Sequence, residues 1–123
     1  MFNLKQIFGK QGEALAVKHL KQKGYEIICV NYKTRLGEID IIARDKDTIV
    51  FVEVKSRSSS TFGSAKAAVT PDKQRRISKN ALYYLKATSQ MNARARFDVV
   101  AIDSSNESCG VEIIKNAFGM SYE

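Results

Sequence analysis

The stretch Gly37–Arg57, GEIDIIARDKDTIVFVEVKSR, decides how this chain folds. Two runs rich in Ile and Val flank Asp45-Lys46-Asp47, the pattern of two strands joined by a short charged turn. Side chains alternate faces along a strand. An even turn centred between Lys46 and Asp47 sets Asp45 opposite Thr48, Asp40 opposite Glu53 and Glu38 opposite Lys55. Ile39, Ile41 and Ala43 then share an aliphatic face with Val50, Val52 and Val54. The other face pairs Ile42 with Phe51 and turns polar at its open end. A three-residue turn would instead bring Asp40 beside Val52 unless a bulge intervened. The tripeptide lacks the Asn-Gly signal of a tight turn, and the even register is the expectation because it sorts the residues cleanly.

That register carries an electrostatic fault. Directly opposite side chains have Cβ atoms about 4.5–5.5 Å apart, and like charges there destabilise. Asp40 against Glu53 therefore calls for a nearby cation, protonation of one acid, or a bound divalent ion. Lys55 can supply the cation, and a salt-bridged sheet face would need nothing more.

Upstream, a helix is expected over Phe8–Lys23, ended by Gly24 in a left-handed conformation. Glu13 shares a face of this helix with Ala16, Val17 and Leu20. That is the face which packs on the sheet, and glutamate is seldom buried there unpaired; near a helix start it is also favoured by the dipole. Gly9, Gly12 and Ala16 allow a close approach. Glu13, Asp40 and Glu53, with Lys55 beside them, form the oxygen-rich constellation that suits Mg²⁺. A strand over Tyr25–Tyr32 leads from this helix into the hairpin.

Downstream, RSSSTFGSAKAAV reads as a mobile surface loop over about 57–69. A second helix opens at Thr70-Pro71-Asp72, with Thr70 as N-cap, and runs to about Ala87 with Ile77, Ala81, Tyr84 and Leu85 facing the core. ARFDVVAIDS and GVEIIKNAF read as two closing strands. The order α-β-β-β-α-β-β indicates one α/β domain over residues 1–123, a mixed sheet flanked by helices.

The chain has 123 residues, 44% hydrophobic and 27% charged, enough for one core and unlike a disordered segment. A net charge of +7 favours anionic partners such as nucleic acid, although simple solubility also accounts for it. Cys29 and Cys109 are far apart in sequence, and with His19 they cannot build a zinc site without a partner chain. Free thiols are expected, a disulfide being the alternative. No apolar run approaches the roughly 20 residues of a membrane span, and the N-terminus lacks the apolar region of a signal peptide, so no membrane association and a cytoplasmic location are expected.

The motifs GKQGEALAVKHL, GEIDIIARD, IVFVEVKSR, FGSAKAAVTPDKQRRI, RFDVVAI and KNAF, in this order, resemble the YraN-type uncharacterised protein family of bacteria. The helical Glu followed by G-E-I-D and E-V-K also resembles the PD-(D/E)xK nuclease superfamily. The likeness implies a restriction-endonuclease-like core similar to archaeal Holliday-junction resolvases. It implies that Asp40 and Glu53 bind Mg²⁺ or Mn²⁺ with the backbone carbonyl of Val54, that Glu13 completes the cluster directly or through water, and that Lys55 orients or activates the attacking water. Gln74 resembles the helical Gln or Lys that such nucleases aim at the site. Ile39 stands where the superfamily motif has its proline.

The implied activity is hydrolysis of DNA phosphodiester bonds, on branched or repair and recombination intermediates, with a homodimer as one partner state. A non-catalytic nucleic-acid-binding module or complex subunit on the same fold is the alternative. Lys73, Arg75, Arg76 and Lys79 on the second helix, and Arg57 after the E-V-K motif, are candidate phosphate contacts. Taken singly, each of the four helix residues reads better as a solvated surface charge. Tyr32, Lys33 and Arg35 lie in a loop that could add to them. Asp98, with Arg96 two residues before it, reads as half of a structural ion pair.

Overall fold

A computed structural model describes residues 4–57, 69–103 and 110–120, with side chains over 12–56, 69–102 and 110–120. The Ser-rich segment, Cys109 and the side chain of Arg57 lie outside the described residues. The elements are α1 (Leu4–Gln22), β1 (Glu26–Thr34), β2 (Gly37–Asp45), β3 (Thr48–Arg57), α2 (Pro71–Ala87), β4 (Arg94–Asp103) and β5 (Gly110–Phe118). They follow the α-β-β-β-α-β-β order expected from the sequence, with α1 beginning earlier than Phe8.

The five strands lie side by side in chain order, β1-β2-β3-β4-β5. All neighbours are antiparallel except β3 and β4, which run parallel and are joined through α2. A parallel pair requires such a crossover. The two faces carry separate cores. Ala16 and Leu20 of α1 pack on Ile41, Ala43, Val50, Val52, Val100 and Ile102. Ile77, Ala81, Tyr84 and Leu85 of α2 pack on Ile42, Ile49, Phe51, Phe97 and Val99. A sheet covered on both faces accounts for the near-continuous Ile and Val runs in its central strands.

Local signals explain the helix ends. Tyr25 N–H donates to Leu20 O and Gly24 N–H to Lys21 O, both at 3.0 Å, with Gly24 at φ 92°. This is a Schellman motif, and Tyr25 and Leu20 make its apolar contact. At α2, the Thr70 hydroxyl accepts from Lys73 N–H and Pro71 occupies the first turn. Gly12 lies where α1 crosses β3, and a Cβ there would stand 2.9 Å from Ser56 Oγ.

The hairpin holds the even register from Asp45–Thr48 to Ile41–Val52, and there the β2–β3 pairing ends. Beyond it β2 departs from the expected alternation. Ile39 packs in the α2 core with Ile42, not on the α1 face with Ile41. The cause is a distortion shared with β1. Val30 pairs with Ile41 and Tyr32 with Ile39, so Asn31 stands opposite Asp40, and Asn31 has φ 54°. Both strands reverse phase here, and Tyr32 meets Tyr84 of α2 edge-on, with ring centroids 5.3 Å apart. Asn is among the residues that best tolerate this left-handed backbone.

At the other end of β2 stands a closed polar network. Asp98 is fully buried and accepts from Tyr25 Oη at 2.9 Å, Arg96 Nε at 2.9 Å and Asn116 N–H at 3.0 Å. Arg96 also donates to Asp45 at 2.7 Å. The structural role expected of the Arg96–Asp98 pair is therefore met, with partners from the turn before β1, from β2 and from β5. Cys29 is a half-buried free thiol, raised above its usual pKa by burial. No helix among the described residues is long and apolar enough to cross a membrane.

Candidate functional site

Where β2 separates from β3, the fork opens a cleft of about 290 Å³ lined by Gly37, Glu38, Asp40, Glu53, Lys73, Arg76 and Ile77. Each wall follows from the fold. β2 supplies Glu38 and Asp40 just past its last pair with β3. β3 is held by β4 along its whole length and supplies Glu53 and Lys55. The first two turns of α2 supply Lys73, Arg76 and Ile77.

Asp40 is the bridge across the fork. Its Oδ2 accepts the Val54 N–H at 2.8 Å, and it lies in hydrogen-bonding reach of Glu53. Burial, then the Glu53 charge, push its pKa from the usual 3.8 to about 6, against the pull of the Val54 N–H. Of the three remedies for opposed acids, the free protein thus draws on two, a raised proton affinity and a cation.

The cation is chiefly Lys73. Its ammonium pairs with Glu53 Oε1, while Lys55 Nζ stands farther away at 3.9 Å. Burial works against the charge on Lys73, but the Glu53 carboxylate outweighs it and raises the pKa. Lys55 is lowered, first by burial and then by the Lys73 ammonium beside it. Of the two amines, Lys55 is therefore the one that gives up its proton more readily.

On the α1 side, Glu13, Glu38 and Asp40 bring one carboxylate oxygen each to within 4.8 Å of one another. Glu13 is raised by burial and by the charges of Asp40 and Glu38, while a hydrogen bond from Asn31 opposes this. The Asn31 distortion therefore reaches the site directly.

The sequence-predicted Glu13, Asp40, Glu53 and Lys55 are brought together at this fork. Gln74 is directed elsewhere: its Nε2 donates to Val69 O at 2.9 Å, tying down the start of α2. At Val54 the backbone N–H is held by Asp40 Oδ2. Arg75 is paired with Asp72 one turn back, Arg76 lines the cleft, and Lys79 is exposed on the following turn. Two roles were missed. Lys73 lies one turn before Ile77 on the stripe that faces the sheet, and that i,i+4 spacing was the available signal. Glu38 was assigned to Lys55 by an alternation that the reversal in β2 cancels.

A profile described as Uncharacterised protein family UPF0102 matches residues 12–102, a span that begins beside Glu13 and ends with β4. The chain belongs to the UPF0102 family. A UPF0102 protein of Desulfosudis oleivorans is 53% identical over 118 residues, covering 96% of this chain and 94% of its own. That of Syntrophus aciditrophicus is 54% identical over 114 residues, covering 93% and 90%. That of Caldicellulosiruptor saccharolyticus is 45% identical over 116 residues, covering 93% and 98%. The UPF0102 match thus takes in every described wall of the cleft.

Proposed function

We propose that this protein is a Mg²⁺- or Mn²⁺-dependent endonuclease that hydrolyses DNA phosphodiester bonds, with a restriction-endonuclease-like site at the β2–β3 fork. The observation that carries the reading is the meeting of Asp40, Glu53 and Lys55 at the point where two core strands separate, with Glu13 and Glu38 alongside. The donors are all oxygens, as Mg²⁺ and Mn²⁺ prefer, and the crowded acids gain from an added positive charge. Asp40, Glu53 and Glu13 would hold the ion.

When bound, a divalent ion activates water and neutralises phosphate oxygens. The chain's own residues do the rest. Lys55, whose proton is held less tightly than usual, stands where it can hydrogen-bond an attacking water. Arg76 and Lys73 at the mouth bind the phosphate backbone without regard to base sequence. The net charge of +7 assists capture of a polyanion. Branched or repair intermediates fit as substrates, and a homodimer would cut two strands.

The pairing of Glu53 with Lys73 favours the second reading, a nucleic-acid-binding module without catalysis, because that carboxylate already has a counter-ion. Cleavage of single-stranded, duplex and four-way-junction DNA with Mn²⁺ separates the two. Cleavage by the wild type that is lost in Asp40→Ala and Lys55→Ala is the expected result. Equal residual cleavage in all three refutes the nuclease. Salt-sensitive binding that ignores both metal and Asp40→Ala would establish the module instead.

A further inference from the structure

Glu53 and Lys73 form an unequal pair. The Glu53 side chain is 5% exposed and fixed in a strand flanked by β4, whereas that of Lys73 is 37% exposed and enters from a helix. One partner cannot leave and the other can. A carboxylate so buried is costly without a cation, and the nearest substitute, Lys55 Nζ, stands 3.9 Å from the same oxygen. Arg76, three residues after Lys73, lines the same cleft and is exposed, so the two cations form one pair at its mouth.

We propose that Lys73 is an exchangeable internal cation. It neutralises Glu53 in the free protein and yields that carboxylate to a divalent ion when the phosphates of a nucleic acid draw its ammonium towards Arg76. The proposal rests on the metal reading given above and adds an order to it. In the free protein Lys73 competes with the ion, so metal binds weakly. With a polyanion present the competitor is removed, so metal and nucleic acid strengthen each other's binding by the same factor. A cleft of this kind is loaded only where there is a strand to act on.

The test measures free Mn²⁺ by electron paramagnetic resonance at fixed ionic strength, with and without a phosphorothioate oligonucleotide that resists cleavage. Without the oligonucleotide, Lys73→Met tightens Mn²⁺ binding about tenfold, the scale of a charged hydrogen bond removed, and Lys73→Arg stays near wild type. Lys86→Met, which removes an equal charge from the exposed last turn of α2, leaves affinity unchanged. The oligonucleotide tightens Mn²⁺ binding in the wild type and much less in Lys73→Met. Equal Mn²⁺ affinity in wild type and Lys73→Met, or equal tightening by Lys86→Met, overturns the exchange while leaving the metal site standing. Absence of Mn²⁺ binding in every protein, with and without oligonucleotide, overturns the metal reading and the exchange together.

Discussion

Replacing Asp40 by Asn should stabilise the metal-free protein, and the gain should depend on pH. In the folded chain Asp40 keeps its proton up to about pH 6, whereas an ordinary aspartate releases it near 3.8. Between those values the folded state binds more protons than the unfolded one, so stability falls as pH rises through the window and stays low above it. At about 1.4 kcal/mol per tenfold change in proton affinity, the ionised group costs about 3 kcal/mol at pH 8 if its surroundings stay rigid, and about half that if Lys73 swings across to it. Asn retains an acceptor for the Val54 N–H, so the substitution removes the charge and keeps that hydrogen bond. Thermal melts in EDTA at pH 8 and pH 4 provide the assay. At pH 8, Asp40→Asn should melt about 5–15 °C above wild type, at roughly 4–5 °C per kcal/mol for a domain of this size. At pH 4 the difference should nearly vanish. Equal destabilisation at both pH values would refute the reasoning, because it would make Asp40 a structural acceptor whose charge is well tolerated.

Three further outcomes are expected. Asp98→Ala takes the acceptor from the Tyr25 O–H, strands the Asn116 N–H and leaves Arg96 with Asp45 and Tyr25 Oη, so urea unfolding should show a loss of about 3–5 kcal/mol; a loss under about 1 kcal/mol would mean the network is dispensable. Asn80, fully buried on α2, accepts from Thr34 Oγ1 at 2.7 Å and donates to Gly37 O at 3.0 Å; Asn80→Ala should cost about 1–3 kcal/mol in urea and loosen Mn²⁺ binding, since Glu38 and Asp40 follow directly from that turn. Gly12→Ala should be neutral or destabilising in the wild type but stabilise a Ser56→Ala background by up to about 1 kcal/mol, because only there is the helix propensity of Ala free of the contact with Oγ; thermal melts of the four proteins check the coupling.

What the sequence disclosed was mostly local. The Gly24 terminator, the Thr70-Pro71 cap and the hairpin register down to Ile41–Val52 each depend on a few adjacent residues or on alternation, and each is found as read. The reversal at Asn31 and Asp40 depends on two strands and a helix at once. Nothing in GEIDII announces it, and the polar pairing of Glu38 with Lys55 inferred from strict alternation does not survive it. Membership of the UPF0102 family was legible because six short motifs occur in a fixed order. The partner of Glu53 was not, because a lysine among Lys73, Arg75, Arg76 and Lys79 looks like any solvated charge until its spacing to Ile77 is weighed.

The Arg96 network gives the sheet two unlike ends. Asp45 and Asp40 are five residues apart on β2, about 17 Å along a strand. At the Asp45 end the charges of Asp45, Arg96 and Asp98 are met inside the protein, and Tyr25, Asp45, Arg96, Asp98 and Asn116 join four segments of chain. At the Asp40 end β2 has left β3. Backbone amides around the network should exchange with solvent only when the whole domain unfolds, while those of Gly37–Asp40 exchange through local opening. The cleft can therefore gape and close by small amounts without loosening the frame, because the cost of its crowded acids is met at the far end of the same strand.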